Sequence, residues 1–406
     1  MMQSGMSLST LKARVEFVQI GDAVGNLTLG RGTVAEYRQA IHVAIIENKI
    51  ASGSLGVKEC DKLASLFKVV ATTGNPLLLY IDSAGARVSE GLPALGAFRQ
   101  LYRAALTLAA SGAPFTVYCG THCFGGASML AALGARRVYA ANTRLAMSGP
   151  AILAAAAGLS ALDDMFAAMS QAAISGETRA KLIAGDIMAA DAANHAMFVE
   201  RVSPIERHRL LGVRLAHCHH PSETIQRKDM AKRYPNGYRL ELSSGVLRGE
   251  AEFAGRKVSL AGFLDLPRGL LDAACAWRGA DGLWKMLEAP PATLHLLLDC
   301  ESHATSLADE RLMLSSYTAD LALALHALAR AGTHIETTVL GKLGGGVYVA
   351  LAAPVAKVNM LYGSEIQLLP GRAIASILGE GAQHKYAFTE YRDAGVADEE
   401  LKLGIL

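Results

Sequence analysis

The sequence predicts an α/β protein built from two copies of one strand–turn–helix series. Three observations carry that prediction. The run at residues 77–81 is continuously apolar, like parallel strands buried on both faces, the run Leu294-His295-Leu296-Leu297-Leu298 is a second apolar strand, and each runs into an aspartate, Asp82 and Asp299. A Gly-Gly turn twice follows a strand and opens a helix, at Gly125-Gly126 and at Gly345-Gly346. The two halves also lie over one another without a gap at an offset of 220 residues, 101–150 onto 321–370, with 10 of 50 positions identical. Chance would give about four in a chain this rich in Ala and Leu. Gly112 meets Gly332, Gly125 meets Gly345, Gly126 meets Gly346 and Pro150 meets Pro370, so the turn is what the duplication kept.

The elements follow in order. Residues 11–50 alternate short strand-like runs with turns, Leu27-Thr28-Leu29 before Gly30-Arg31-Gly32 and His42-Val43-Ala44-Ile45-Ile46 before Glu47-Asn48. Residues 58–72 read as an amphipathic helix, with Cys60, Leu63, Leu66, Phe67 and Val70 at helical spacing and Asn75-Pro76 as its stop. The strand at 77–81 delivers Asp82-Ser83-Ala84-Gly85-Ala86-Arg87 at its carboxyl end, where open α/β sheets gather their ligands. A helix over about 95–110 leads through Gly112 to the strand before the first Gly-Gly turn. Short strands follow at Val138-Tyr139-Ala140 and Leu145-Ala146-Met147, the latter entering Ser148-Gly149-Pro150. Residues 161–200 read as helical, broken at Ser175-Gly176-Glu177.

Residues 203–245 are polar, carry Pro204, Pro221 and Pro235, and lack a sustained period. The expected organisation is therefore a first domain over 1–205, a linker over 206–245 and a second domain over 246–406. The second half repeats the series. A strand pair lies in 250–264 and a helix over 270–287, with a break at Pro290-Pro291. The strand at 294–298, a long helix over 312–331, the run Thr337-Thr338-Val339-Leu340, the second turn and a helix over 347–353 complete it.

Composition narrows the function classes. With 51% hydrophobic and 19% charged residues over 406 positions, the chain is a well-buried globular protein. A net charge of +2 gives no reason to expect nucleic acid. No apolar run reaches the roughly 18–20 residues of a membrane span, and residues 1–15 lack the apolar core of a signal peptide, so a cytoplasmic protein is expected. Six cysteines without a CxxC pair suggest neither a disulfide framework nor a zinc site. His217-Cys218-His219-His220 has metal donors but no regular element to fix them, so no metal is expected there.

Paired glycines at a strand-to-helix turn leave backbone N–H groups pointing outward and let a ligand approach closely. An oxyanion hole built from main chain needs that arrangement, although the same glycines also serve plain packing. Two turns would give two holes, Gly125-Gly126 and Gly346-Val347. His122, Cys123, Tyr348 and Ser148 stand near them as proton sources, and for His122 packing at the turn is an equal alternative. Arg87 orients its loop or the anionic end of a substrate, which its bidentate guanidinium suits, or else makes a salt bridge to Glu90 three residues on.

These segments resemble the carboxyltransferase branch of the crotonase superfamily. Residues 82–91, Asp-Ser-Ala-Gly-Ala-Arg-Val-Ser-Glu-Gly, are similar to the DSGGAR(I/L)QEG segment of that family. His122-Cys123-Phe124-Gly125-Gly126 is similar to the CFGG turn in the β subunit of biotin-independent malonate decarboxylase, and Ser148-Gly149-Pro150 to the Gly-Pro after its next strand. Ser175-Gly176-Glu177-Thr178-Arg179 sits where that subunit has GGEQR. In the second half, Gly345-Gly346-Val347-Tyr348-Val349 resembles the GGAYI of carboxyltransferase C-domains, and Pro370-Gly371-Arg372-Ala373-Ile374-Ala375 the MGKAAA of the decarboxylase γ subunit. The chain departs from the pattern at Ala84, at Ala151, and at residues 299–303, which hold no glycine.

The resemblance implies two tandem crotonase-like ββα superhelix domains, equivalent to fused β and γ subunits, acting on an acyl thioester. It implies a decarboxylase that takes malonyl-ACP or malonyl-CoA to the acetyl thioester through an enolate held in the two holes. Gly85, Ala86, Arg87, Ser148, Gly149 and Tyr348 would surround the substrate. No cofactor is implied beyond the phosphopantetheine of acyl carrier protein or CoA, itself part of the substrate. A homodimer would pair the first half of one chain with the second half of another. A different class is open as well: a carboxyltransferase moving a carboxyl group between carboxybiotin and an acyl-CoA. Since the chain has no Met-Lys-Met attachment motif, its biotin would come from a separate partner. A third reading, suggested by Ala84 and Ala151, is a non-catalytic scaffold half of such a complex.

Overall fold

The computed structural model describes residues 7–34, 37–159, 162–215, 220–369 and 385–402. It divides the chain into two compact units. The first comprises Met1–Ser203 with Thr305–Ser316, and the second Pro204–Ala304 with Tyr317–Leu406. Each is an α/β unit around one mixed sheet. Among the described residues no helix is long and apolar enough to cross a membrane.

The first sheet runs β1 (Val18–Gln19), β2 (Leu27–Val34), β3 (Tyr37–Ile46), β4 (Leu77–Ser83), β5 (Phe115–Phe124), β6 (Arg136–Tyr139) and β8 (Ile187–Met188), with β7 (Arg144–Ala146) paired to the far end of β5. The β1–β3 edge is antiparallel and the remainder parallel. Leu77, Leu78, Leu79 and Ile81 are fully buried because parallel strands are covered on both faces. Each such side chain contributes ~2 kcal/mol of burial. On one face Ile41, Val43, Ile45, Leu78 and Val138 pack with Leu11 and Val15 of α1 (Leu8–Arg14) and with Met197 and Phe198. Helices α2 (Val57–Thr73) and α3 (Gly91–Ala110) pack on each other, and burial of Leu63, Phe67 and Val70 follows the helical period read in the sequence.

The region 161–200 is less helical than its pattern suggests. It holds α6 (Asp164–Ile174) and α7 (Gly176–Leu182), then the short strand β8 and a 3₁₀ turn. Asp163 and Ser175 cap the two helices, and Ala-rich composition hid the break after Leu182.

The second sheet runs β19 (Glu399–Leu401), β17 (Lys357–Leu361), β16 (His334–Gly344), β14 (Thr293–Cys300), β12 (Arg256–Phe263), β11 (Val246–Phe253), β10 (Tyr238–Ser243) and β9 (Glu223–Ile225), with β18 (Glu365–Gln367) on the far end of β16. Residues 206–245, expected as a linker, are part of this unit. They form α8 (Pro204–Gly212), β9, α9 (Lys228–Arg233) and β10, and supply Met230, Tyr234, Leu240 and Leu242 to its core. Short edge strands with one solvated face carry too little apolar period to be seen in a window of sequence.

Helix α8 is braced deep in the unit. The His208 ring stacks on Trp277 at 5.1 Å, and its Nδ1 lies 2.7 Å from Asp320 Oδ2. The Trp284 indole donates to the other Asp320 oxygen at 3.1 Å. Burial alone would lower the His208 pKa, but hydrogen bonds to Asp281 and Asp320 raise it to about 9.

Candidate active site

The first site forms where β4, β5 and β7 end together. A register shift in the β4–β5 ladder between Ile81 and Ser83 bulges β5 over residues 120–122 before Cys123 rejoins the pairing opposite Ser83. The carboxylate of Asp82 holds the bulge, accepting the N–H groups of Thr121 and His122 at 3.0 Å each. Gly120 has no room for a Cβ, which would lie 2.7 Å from Asp82 Cβ. The strand then leads into Gly125, whose φ of 54° favours glycine, and into α4 (Gly126–Ala132).

The geometry revises which amides face a ligand. The N–H of Gly125 donates to Ala146 O of β7 at 3.1 Å, so Gly125 locks the turn instead of donating to a substrate. Gly126 contributes the first N–H of a helix, for which the helix has no acceptor. A Cβ on Gly126 would strike the Phe98 ring of α3, so this glycine is also required by packing. A Cβ on Gly85 (φ +92°) would lie 2.7 Å from Gly126 N, which brings the 82–87 loop against the turn. Within that loop, Leu55 N–H donates to Gly85 O and Arg87 N–H to Leu55 O, both at 2.8 Å. In such a parallel bridge the N–H of the middle residue, Ala86, points away from Leu55. Ala86 and Gly126, one in each of two adjoining loops, thus keep backbone N–H groups that these bonds do not take.

Arg87 does not reach for an anion. Its guanidinium pairs with Glu59, with Glu90 Oε1 at 2.7 Å and with Ser54 O at 2.8 Å. The salt bridge read as an alternative is one arm of this clamp, which ties the loop to α2. Glu59 is the partner sequence reasoning missed; a glutamate in the first turn of a helix looks like an ordinary surface residue.

The proton sources nominated from sequence differ in availability. Cys123 is fully buried with its thiol on Ile81 O, and burial, then Cys119 and Asp82, push its pKa well up. Tyr348 is buried and donates to Val396 O at 2.9 Å. His122 is half-buried, with Nδ1 3.6 Å from Asp82 Oδ1 and Nε2 against the Arg144 guanidinium. A guanidinium only donates, so Nε2 accepts from Arg144, while Asn48 Nδ2 at 3.5 Å and Asp82 Oδ1 at 3.6 Å both lie near Nδ1.

Ser148-Gly149-Pro150 opens α5 (Pro150–Ala156) beside the turn: a Cβ on Gly149 would meet Phe124 at 3.8 Å, and Ser128 Oγ lies 3.5 Å from Met147 Sδ. Ser148 N–H donates to Glu310 Oε1 at 2.9 Å. Glu310 lies in α11 (Leu307–Leu312) of the returning segment, fully buried, with Arg179 Nη2 3.4 Å from its Oε2. Burial raises its pKa to about 7 against the pull of Arg179 and the Ser148 amide. No sequence signal points to Glu310, because 162 residues separate it from Ser148.

The second unit repeats the backbone. Gly345 also has φ 54°, at the start of α13 (Gly345–Ala352), and Asp299 accepts the Lys342 N–H at 3.0 Å across a register shift between Leu298 and Cys300. The loop after Asp299 is β15 (Ser302–His303), paired in parallel with β13 (Leu270–Leu271) as Ala86 is with Leu55. Gly346 and Val347 follow Gly345 in α13, with Val347 buried. Residues 370–375 and 217–219 lie outside the described residues. Among the described residues no cluster of three His, Cys, Asp or Glu side chains is set to hold a metal ion.

Residues 25–186, which span most of the first sheet and its Gly-Gly turn, match the family model of the carboxyl transferase domain. Two curated relatives match within this chain. The methylmalonyl-CoA carboxyltransferase 12S subunit of Propionibacterium freudenreichii subsp. shermanii is 28% identical over 148 residues, 36% of this chain and 28% of the relative. The acetyl-coenzyme A carboxylase carboxyl transferase subunit beta 2 of Roseiflexus castenholzii is 33% identical over 97 residues, 24% of this chain and 32% of the relative. The matched stretches thus span about a third or less of these relatives. Among solved structures, a Pseudomonas malonate decarboxylase hetero-tetramer in complex with malonate aligns with a TM-score of 0.42 at 22% identity, over 52% of this chain and 90% of that one.

Proposed function

We propose that this chain is an enzyme acting on the carboxyl group of an acyl thioester, and that its first unit decarboxylates a malonyl thioester without biotin. The observation that carries the reading is the pair of backbone donors, Ala86 and Gly126, presented by two loops that Arg87, Asp82 and the Gly125–Ala146 bond hold in place. In the reaction, the bond from the α carbon to the carboxylate breaks and CO2 leaves. The electron pair moves into an enolate whose charge lies mostly on the thioester oxygen. Fixed N–H donors stabilise that charge more in the transition state than in the ground state, and one such donor is typically worth ~3 kcal/mol. Protonation at the α carbon completes the acetyl thioester. The carrier on this reading is CoA or acyl carrier protein, and the enzyme works as a cytoplasmic homodimer.

The match of residues 25–186 to the carboxyl transferase domain favours a second reading, transfer of carboxyl between carboxybiotin and an acyl-CoA. Both reactions pass through the same enolate. One experiment separates them: malonyl-CoA and malonyl-loaded carrier protein are incubated with the protein, and products are followed by mass spectrometry. Acetyl product without biotin supports decarboxylation. In a parallel incubation with acetyl-CoA as acceptor, malonyl-CoA formed only with carboxybiotin, with biotin released, supports transfer, and no product under either condition refutes both.

A further inference from the structure

The sequence offered Arg87 for its loop, for the anionic end of a substrate or for a salt bridge to Glu90, and Arg87 is bound to Glu59, Glu90 and Ser54. A second guanidinium at the carboxyl end of this sheet is that of Arg144, the first residue of β7, directly opposite His122 of β5. Among the described residues no carboxylate pairs with it. One Nη2 proton goes to His122 Nε2, and the guanidinium carbon lies 5.9 Å from the Phe124 ring centroid. Arg144 is half-buried on this aromatic support, and among the described residues its side chain's only hydrogen-bond partner is His122. His122, which takes that one Nη2 proton, carries no negative charge to pair with the guanidinium. Phe124 in turn touches Gly149 and precedes the turn that carries the enolate donors, which places the fork beside the proposed reaction centre.

We propose that Arg144 is an anion-binding residue of the first unit, its guanidinium gripping the oxygens of a carboxylate or phosphate group on the substrate. This rests on the acyl-thioester reading above for the identity of the substrate, but not for the binding itself. Two parts of a malonyl thioester offer such oxygens, the acyl carboxylate and the phosphates of the carrier.

Titration calorimetry on the intact protein, with malonyl-CoA, CoA and malonyl-pantetheine as probes, tests it without requiring turnover. Arg144→Gln should weaken binding ~10–100-fold for any probe carrying the recognised anion, as loss of a charged hydrogen bond does. Arg144→Lys should recover only part of that loss, because an ammonium keeps the charge but not the fork. Weakening of malonyl-pantetheine assigns the acyl carboxylate, and weakening of CoA and malonyl-CoA alone assigns a carrier phosphate. The wild-type affinity should also fall with added salt, and that of Arg144→Gln should fall less. Equal binding of all three probes by wild type and Arg144→Gln overturns the proposal, as does a wild type that binds none of them. Turnover with unchanged kinetics in Arg144→Gln sinks this inference and leaves the proposed function standing; Arg144-dependent binding without turnover does the reverse.

Discussion

The two Gly-Gly turns have the same backbone and different surroundings. Gly125 and Gly345 share φ 54°, and Asp82 and Asp299 each hold the bulge of the neighbouring strand. β5 and β16 each pair with one strand near their start and another at their end. Facing the first turn stands Gly85-Ala86-Arg87, with no side chain at Gly85 and a clamp at Arg87. The corresponding loop in the second unit is Ser302-His303-Ala304. Ser302 Oγ lies 3.7 Å from where a Cβ of Gly345 would be, and burial drives the His303 pKa down to about 4, leaving a neutral imidazole at pH 7. Duplication therefore preserved the backbone that aims amides and let the side chains around it diverge. An amide is positioned by bulge and turn, which depend on Gly and Asp, whereas what occupies the space before it depends on two or three loop residues.

The largest expected effect breaks a support that the first turn has and the second lacks. Arg179→Ala strands the buried Glu310 carboxylate under Ser148, where the second unit has Leu368. It should cost about 3–5 kcal/mol of stability in denaturant titration. Glu310→Gln, which retains an acceptor for the Ser148 amide, should cost less, and equal losses would refute a charge-pair role. Gly85→Ser copies the second loop into the first and places a Cβ against Gly126 N at φ +92°. It should cut turnover of a malonyl thioester ~10²–10³-fold with near-wild-type circular dichroism. Retained turnover would show that Gly126 does not face the substrate. Gly126→Val is the poorer test, since Phe98 already occupies the space.

Arg87→Ala copies Ala304. It should lower stability by about 2–3 kcal/mol, because Glu59 then loses its buried partner, and should raise KM more than it lowers kcat. The smallest effect lies in the second unit and is read by pH. His208 holds its proton more tightly when folded, about 9 against an ordinary 6.5. Its stabilisation is complete below pH 6.5 and is lost as the pH rises through about 9. Asp281, lowered to about 2 from 3.8 against a raising effect of burial by bonds from His208 and Lys285, loses its share only as the pH falls through about 2. The unfolding temperature should thus fall by a few degrees between pH 7 and 9.5, and His208→Gln should flatten that limb. An unchanged limb would exclude His208 as its source.

Much of the architecture was legible in the sequence because it rests on local chemistry. The run at 77–81 reads as a doubly buried strand, and residues 57–73 show their buried face at helical spacing. The turn glycines mark a backbone that other residues resist. The misreadings share a cause: β9 and β10 are short edge strands, and the helix read over 161–200 ends at Leu182 where composition stays Ala-rich.

By itself the sequence determined the duplication, the strand order within each repeat and the two turns, since φ preference and apolar period act over a few residues. Tertiary structure alone decided that the Gly125 amide is spent on Ala146, that Glu59 joins Glu90 on Arg87, that Arg144 meets His122, and that Glu310 holds Ser148. Those roles depend on which groups meet across 20 to 160 residues of chain, and a hydrogen bond or ion pair at such separation leaves no local pattern to read.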